Sequence, residues 1–370
     1  MKKIVLLAAL LACASIASPA KSREFETAAQ AVANMRVGLN INNGLEEHYR
    51  KDKWNRADPA SFETMTGRPV TTNEVIKTIA DAGFGVVRVP VTWYPHMDPE
   101  TGVVDKVWMD RVQEVVDYVL GNGMYCIINV HHDAGSKDTR WLIADLGNYD
   151  KMSARFTNLW KQVATRFKKY DQRLIFEGFN EIIDLKKSWS NAKVDGAYEA
   201  VNRLNQDFVN TVRRTGGNNK VRNLCVNTYA TSTTSGALAA FVLPEDSAKE
   251  HLMMQVHSYL PRPFTEPERV LRERKQESRK EFYESDYPVI DKMFGNLKKF
   301  LDEKGYPCVL GEFGSSAKNN DDARARHAAY YVKKCKELGI LPIYWYNPLE
   351  RRQLIWNYPK LKDALIEASK

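Results

Sequence analysis

Leu174-Ile-Phe-Glu-Gly-Phe-Asn-Glu181 is a largely apolar run that ends in an amide and a carboxylate, and Pro307-Cys-Val-Leu-Gly-Glu-Phe-Gly314 again places a carboxylate, Glu312, after an apolar run much later in the chain. Short runs rich in β-branched and aromatic residues, bounded by Gly, Asn or Pro, read as buried strands. Working outward from these two, at 174–179 and 308–311, six more such runs appear, at 37–41, 86–89, 125–130, 223–227, 252–256 and 341–345. Strands separated by long connections that carry helical periodicity are the signature of a parallel sheet built from βα units. Periodicity does not by itself distinguish a doubly wound sheet from a closed barrel. The count of eight and the polar residues at the strand ends select the (β/α)8 barrel, an α/β fold forming one catalytic domain over residues 21–370.

The connections show the expected 3-4-7 spacing of apolar residues. Val112, Val115, Val116 and Val119 form one stripe, and Phe156, Leu159, Trp160, Val163 and Phe167 form another. Leu204, Phe208 and Val212 continue the pattern, followed by Ile290, Met293, Leu297 and Leu301, then Ala328, Val332 and Cys335. Thr71, with Glu74 three residues later, predicts a capping box at the start of the helix carrying Ile76 and Ile79.

Barrel enzymes place reactive groups where strands give way to loops. Here the strand ends carry Asn40, Arg88, His131, Asn180 with Glu181, His257 with Tyr259, Glu312 and Trp345. A single rim carboxylate has an ion pair as its alternative reading, and it is the joint placement of two that points to function. Glu181 and Glu312 follow the fourth and seventh strands, which face each other across a barrel. Two carboxyl groups about 5–5.5 Å apart, one protonated and one ionised, are what hydrolysis of a glycosidic bond with retention requires.

At this point the chain resembles the cellulase family known as glycoside hydrolase family 5, over roughly residues 37–345. The segments that carry the resemblance are Gly-Phe-Gly-Val-Val-Arg-Val-Pro-Val-Thr-Trp at 83–93, Ile-Ile-Asn-Val-His-His-Asp at 127–133, Phe-Glu-Gly-Phe-Asn-Glu at 176–181, His-Ser-Tyr at 257–259 and Gly-Glu-Phe-Gly at 311–314. The resemblance implies Glu181 as acid/base and Glu312 as nucleophile. It implies Arg88 holding Glu312 ionised, Asn180 donating to the sugar 2-hydroxyl, and His131 bonding the sugar before the cleavage point. His257 and Tyr259 would flank the acid/base and the nucleophile, and Trp345 would stack on a pyranose face. The substrate implied is a β-1,4-glucan cut internally, with mixed-linkage β-glucan, xyloglucan and β-mannan as alternatives, and no metal or organic cofactor. Ile182 stands where many relatives carry proline, and Tyr-Asn-Pro follows Trp345 where many carry acidic or small polar residues, so the subsites are open to variation.

Other features narrow the remaining classes. Lys2 and Lys3 precede an apolar run, Ile4 to Leu11, and small residues follow, which reads as a signal peptide over residues 1–20 and a secreted chain. Leu-Leu-Ala-Cys ending at Cys13 offers a second reading, a lipid-anchored cysteine. No run approaches the roughly 20 apolar residues that cross a bilayer. The net charge is +8, with much of it interleaved with acids, as in the stretch 266–284, which reads as solvated. A nucleic-acid partner would ask for basic residues concentrated on one face. Cys126, Cys225, Cys308 and Cys335 lie in apolar runs and read as buried thiols rather than disulfides. His131 and His132 are neighbours on a strand and point to opposite faces, which argues against a shared metal ion with Asp133. Trp108 and Trp160 lie on helix stripes and read as core, whereas Trp93, Trp141 and Trp189 follow strands two, three and four, where they could either stack on sugar or pack the loops. The protein is expected to act as a monomer on a polysaccharide.

Overall fold

The computed structural model describes residues 25–136 and 140–370. The expected signal segment and Cys13 lie outside the described residues. Eight strands form one closed parallel barrel: β1 (Gly38–Asn40), β2 (Val86–Val89), β3 (Tyr125–Ile128), β4 (Leu174–Glu177), β5 (Leu224–Asn227), β6 (Leu252–Ser258), β7 (Cys308–Phe313) and β8 (Ile340–Tyr344). Closure is direct: Gly38 pairs with Val86 on one side and with Ile343 on the other. Gly38 has no substitute here, since a Cβ would lie 2.5 Å from Val86 Cγ1 and 2.8 Å from Val86 O.

Alternation along each strand divides the core in two. Val86, Ile127, Ile175, Cys225, Met253, Val309, Leu341 and Ile343 point inward and fill the lower barrel. Their neighbours, among them Val87, Cys126, Ile128, Phe176, Val226, Met254 and Leu310, point outward into the shell shared with the helices. The predicted stripes lie there, on helices Lys106–Gly121, Tyr149–Phe167, Ala197–Arg214, Tyr287–Lys304 and Asp321–Glu337. Trp108 and Trp160 are fully buried, and the four described cysteines are buried free thiols.

A helix ahead of the barrel, Ala28–Met35, closes its N-terminal mouth. Thr27 and Gln30 form a capping box at its start, and Ala28, Ala31, Val32 and Met35 join the inward-facing cluster. The approach is close: a Cβ on Gly85 would sit 2.2 Å from Met35 O.

Two local expectations change. The helix Asn73–Asp81 is capped by Thr72, whose hydroxyl accepts from Val75 N–H, not by Thr71. Thr71 is buried and gives its N–H to Glu63 instead. In the stretch 266–284, Glu266 is not solvated: it is buried between Arg262 and Arg274.

Candidate active site

The C-terminal strand ends converge on a single guanidinium. Arg88, on β2, points into the barrel and is completely buried. Its Nη1 donates to Glu312 Oε1 at 2.8 Å and to Asn40 Oδ1 at 2.9 Å, and its Nη2 donates to Asn180 Oδ1 at 3.0 Å. Its two-pronged contact is with a different carboxylate: Nε donates to Glu177 Oε2 at 2.6 Å and Nη2 to Glu177 Oε1 at 2.8 Å. Glu177 sits on β4, one turn of the pleat below Asn180 and Glu181, and was not singled out in the sequence. The signal available was its place: a carboxylate inside an otherwise apolar strand cannot be buried without a cationic partner.

Each bond fixes the orientation of a further group. Because Asn180 Oδ1 accepts from Arg88, its amide nitrogen is left to donate into the cleft. Asn129 is fixed likewise, with Oδ1 accepting from Val91 N–H and Nδ2 donating to Glu177 at 2.9 Å and facing His131 Nδ1 at 3.1 Å. His131 Nδ1 is therefore an acceptor. Burial holds this imidazole neutral, with its pKa well below the ordinary histidine value, so its proton resides on Nε2. The His131 ring stacks on Trp345 at 5.6 Å and 8°.

Glu181 and Glu312 lie together with His257. One carboxylate oxygen of each and one ring nitrogen of the histidine are within 4.8 Å of one another. His257 Nδ1 is 3.0 Å from Glu181 Oε1, and Tyr259 Oη donates to Glu312 Oε2 at 2.7 Å. Burial raises the Glu181 carboxyl to about 7 against the pull of Arg88 and Arg262. Burial also raises Glu312, opposed by His257, Arg88 and the Tyr259 hydrogen bond. Burial pushes His257 down to about 4 and keeps Tyr259 protonated. The site thus holds two carboxyl groups in unlike surroundings: one donated to by a guanidinium and a phenol, the other facing a neutral imidazole. It can protonate one atom while attacking its neighbour.

Among the described residues, the same three side chains form the one group whose ligand atoms could reach a cation. Their donors argue for other work. Both Glu312 oxygens already accept, and the Arg88 cation stands 2.8 Å away. His131, His132 and Asp133 do not converge: His132 faces Tyr49 Oη, and Asp133 accepts from Trp93 N–H and Trp141 Nε1.

The catalytic-face cavity of about 240 Å³ is lined by His131, Asn180, Glu181, Glu312 and Trp345. It opens past Trp189 and Tyr259 into a larger cavity of about 500 Å³ and past His132 and Trp345 into another of about 440 Å³. Glu181 borders the first of these side cavities, and neither carboxylate borders the second. The three form a cleft that runs through the site rather than ending at it. Of the loop tryptophans, Trp189 lines it; Trp93 is buried with Nε1 on Asn129 O, and Trp141 packs under Arg155 at 4.7 Å.

Residues 51–349 match the family described as Cellulase (glycosyl hydrolase family 5). The chain belongs to this family. As a member of glycosyl hydrolase family 5 it is a glycoside hydrolase. It is 33% identical over 360 residues to Endoglucanase A of Ruminococcus albus, covering 93% of each chain. It is 33% identical over 359 residues to Cellulase/esterase CelE of Acetivibrio thermocellus, covering 91% of this chain but spanning only 40% of that longer protein. It superposes with a TM-score of 0.85 on a broad-specificity endoglucanase from Ruminococcus champanellensis with bound cellotriose, at 35% identity, covering 93% of this chain and 99% of that one. The family residues expected from the sequence, Arg88, His131, Asn180, Glu181, His257, Tyr259, Glu312 and Trp345, all stand within this one cleft or directly beneath it.

Proposed function

We propose that the protein hydrolyses internal bonds of a β-1,4-glucan with retention of configuration. Glu181 is the acid/base in this reading and Glu312 the nucleophile. The observation that carries it is the close approach of Glu181 and Glu312, one carboxylate oxygen of each lying within 4.8 Å of the other and of a His257 ring nitrogen, which supports the short carboxyl separation of about 5–5.5 Å used for direct attack over the roughly 6.5–9.5 Å of the single-displacement route.

In the first step Glu312 attacks the anomeric carbon. The bond to the leaving oxygen breaks, and Glu181 gives that oxygen its proton. Burial keeps Glu181 protonated to about pH 7, and Arg88 and Tyr259 stabilise Glu312 as the carboxylate. In the second step Glu181 takes a proton from water, the water attacks the same carbon, and the ester bond returns its electron pair to Glu312. Asn180, with its amide nitrogen free, donates to the sugar 2-hydroxyl. His131 and Trp345 form the wall on which the glycosyl unit rests.

The leaving group departs toward the acid, so the cavity bordered by Glu181 and Trp189 takes the aglycone side, and the one bordered by Trp345 takes the glycone side. Open ends on both sides support internal cleavage. Mixed-linkage β-glucan, xyloglucan and β-mannan fit the same site as alternatives. Secretion, with residues 1–20 as signal, suits a polymer too large to enter a cell. Product analysis over a panel of soluble β-glucan, carboxymethylcellulose, xyloglucan, mannan and xylan tests the reading; turnover confined to xylan, or to terminal residues, would sink it.

A further inference from the structure

Arg88 is the one cation among the described groups in contact with Glu312, and it is shared. Glu177 receives two of its donors, at 2.6 and 2.8 Å, and is itself 0% exposed. Glu312 receives one, at 2.8 Å. Asn129 holds Glu177 from the other side. The groups facing this pair are Arg88 from β2, His131 beyond β3, Glu181 beyond β4, Cys225 on β5, His257 on β6 with Tyr259 just after it, and Glu312 on β7. With His131, His257, Cys225 and Tyr259 neutral, the buried charge beneath the cleft is Arg88 against Glu177 and Glu312, with Glu181 protonated.

We infer that Glu177 is a positioning residue that sets the reactivity of Glu312 through Arg88. Its fork fixes the guanidinium plane, so that a single N–H faces the nucleophile. Its charge takes up most of the cation, so that Glu312 keeps enough basicity to attack. Without that charge Arg88 would neutralise Glu312 alone. The carboxylate would then be a poorer nucleophile in the first step and a better leaving group in the second, since a more stabilised carboxylate accepts the returning electron pair more readily. This inference rests on Glu312 being the nucleophile.

The test uses Glu177→Gln, which keeps the shape and removes the charge. Expected are an acid limb of the pH–kcat/KM profile moved down by about one unit or more, as for a carboxylate gaining an unshared cation, and a fall in kcat/KM of about tenfold or more. On an aryl cellobioside, whose second step limits kcat, kcat should hold or rise while kcat/KM falls. A residue that only supports the fold would lower both together and leave the limb in place. Glu177→Asp keeps the charge at greater distance and should move the same readouts in the same direction by less, so it carries the test if the glutamine variant does not fold. An unmoved acid limb in a folded variant overturns the inference. Labelling the unmutated protein with a 2-deoxy-2-fluoro-β-cellobioside separates the two readings. An adduct mapped to another residue removes the assignment of Glu312, and with it this inference, whereas an adduct on Glu312 with an unmoved limb removes the inference alone.

Discussion

His257 Nδ1 stands 3.0 Å from Glu181 Oε1 and 3.7 Å from Glu312 Oε2. With its pKa pushed to about 4 by burial, the imidazole is neutral at working pH and acts as a hydrogen-bonding spacer rather than as a charge. The proton that matters therefore belongs to the carboxyl pair. On the proposed assignment Glu181 must be protonated to act, so activity should be lost as pH rises through about 7. Glu312 must be ionised, and because its pKa is raised, activity is lost on the acid side at a pH above the ordinary carboxylate value. A bell-shaped kcat/KM follows, its limbs belonging to the coupled pair. Initial rates from pH 4 to 9 on an unactivated oligosaccharide check it, and a rate that stays flat through pH 9 contradicts it.

Trp345 lines the cleft on both sides of its stack with His131, whereas Trp160 is buried with its Nε1 on Gly178 O. Trp345→Ala should lower turnover on polymer at least tenfold with little change in stability, because it removes stacking at the reacting sugar. Trp160→Ala should cost about 3–5 kcal/mol of stability, with activity retained in whatever fraction stays folded. Urea unfolding beside rate measurements separates the two outcomes.

Retention is tested at the anomeric centre. NMR of freshly formed products should show the β anomer first. Glu181→Ala removes the acid and the base but leaves the nucleophile, so a substrate with a good leaving group should still load the protein. Azide needs no general base and should release a β-glycosyl azide from that variant. An α anomer from the unmutated protein would reassign one of the glutamates.

Arg88→Met should be far more costly than its size suggests. It leaves Glu177 and Glu312 buried without their cation, and breaking a buried pair from one side costs about 3–5 kcal/mol. The loss should shrink at acid pH, where both carboxylates take up protons and no longer need the cation. Unfolding midpoints at pH 4.5 and 7.5 measure it, and equal losses at the two values would place the cost in packing instead.

The strands were legible because a strand buried on both faces leaves an apolar run in the sequence, and all eight runs became strands, with boundaries moving by up to two residues. Glu181 and Glu312 were legible because each follows such a run with a carboxylate. Glu177 was not, since a polar residue inside a strand reads as an interruption until its partner is known, and Arg88 lies on a different strand, 89 positions earlier. Trp93, Trp141 and Trp189 all follow strands and read alike. What separates them is their surroundings, since Trp93 Nε1 donates to Asn129 O, Trp141 Nε1 donates to Asp133 and Trp189 lines the open cleft, and these are settled by loop conformation rather than by local sequence. The cap moved from Thr71 to Thr72 because both residue types can cap, and Thr71 is buried with its N–H held by Glu63, the last residue of the short helix Ala60–Glu63.

The helix Ala28–Met35 acts as a stopper at the end of the barrel opposite the chemistry. It adds nothing to the cleft, yet its Ala28, Ala31, Val32 and Met35 belong to one buried cluster with Ile127, Ile175, Met253 and Val309. Shortening the chain past Glu26 would first strip the bonds that tie this residue to Gln172, Tyr125 and Asn223, then unravel the turn capped by Thr27 and let water into the well from below, so the edge of a tolerated N-terminal cut falls ahead of Glu26. A purification tag or a fused module can be exchanged freely only upstream of that glutamate. A trimmed protein would show the damage as a lower melting temperature and binding of an apolar dye, before any change in the way it handles sugar.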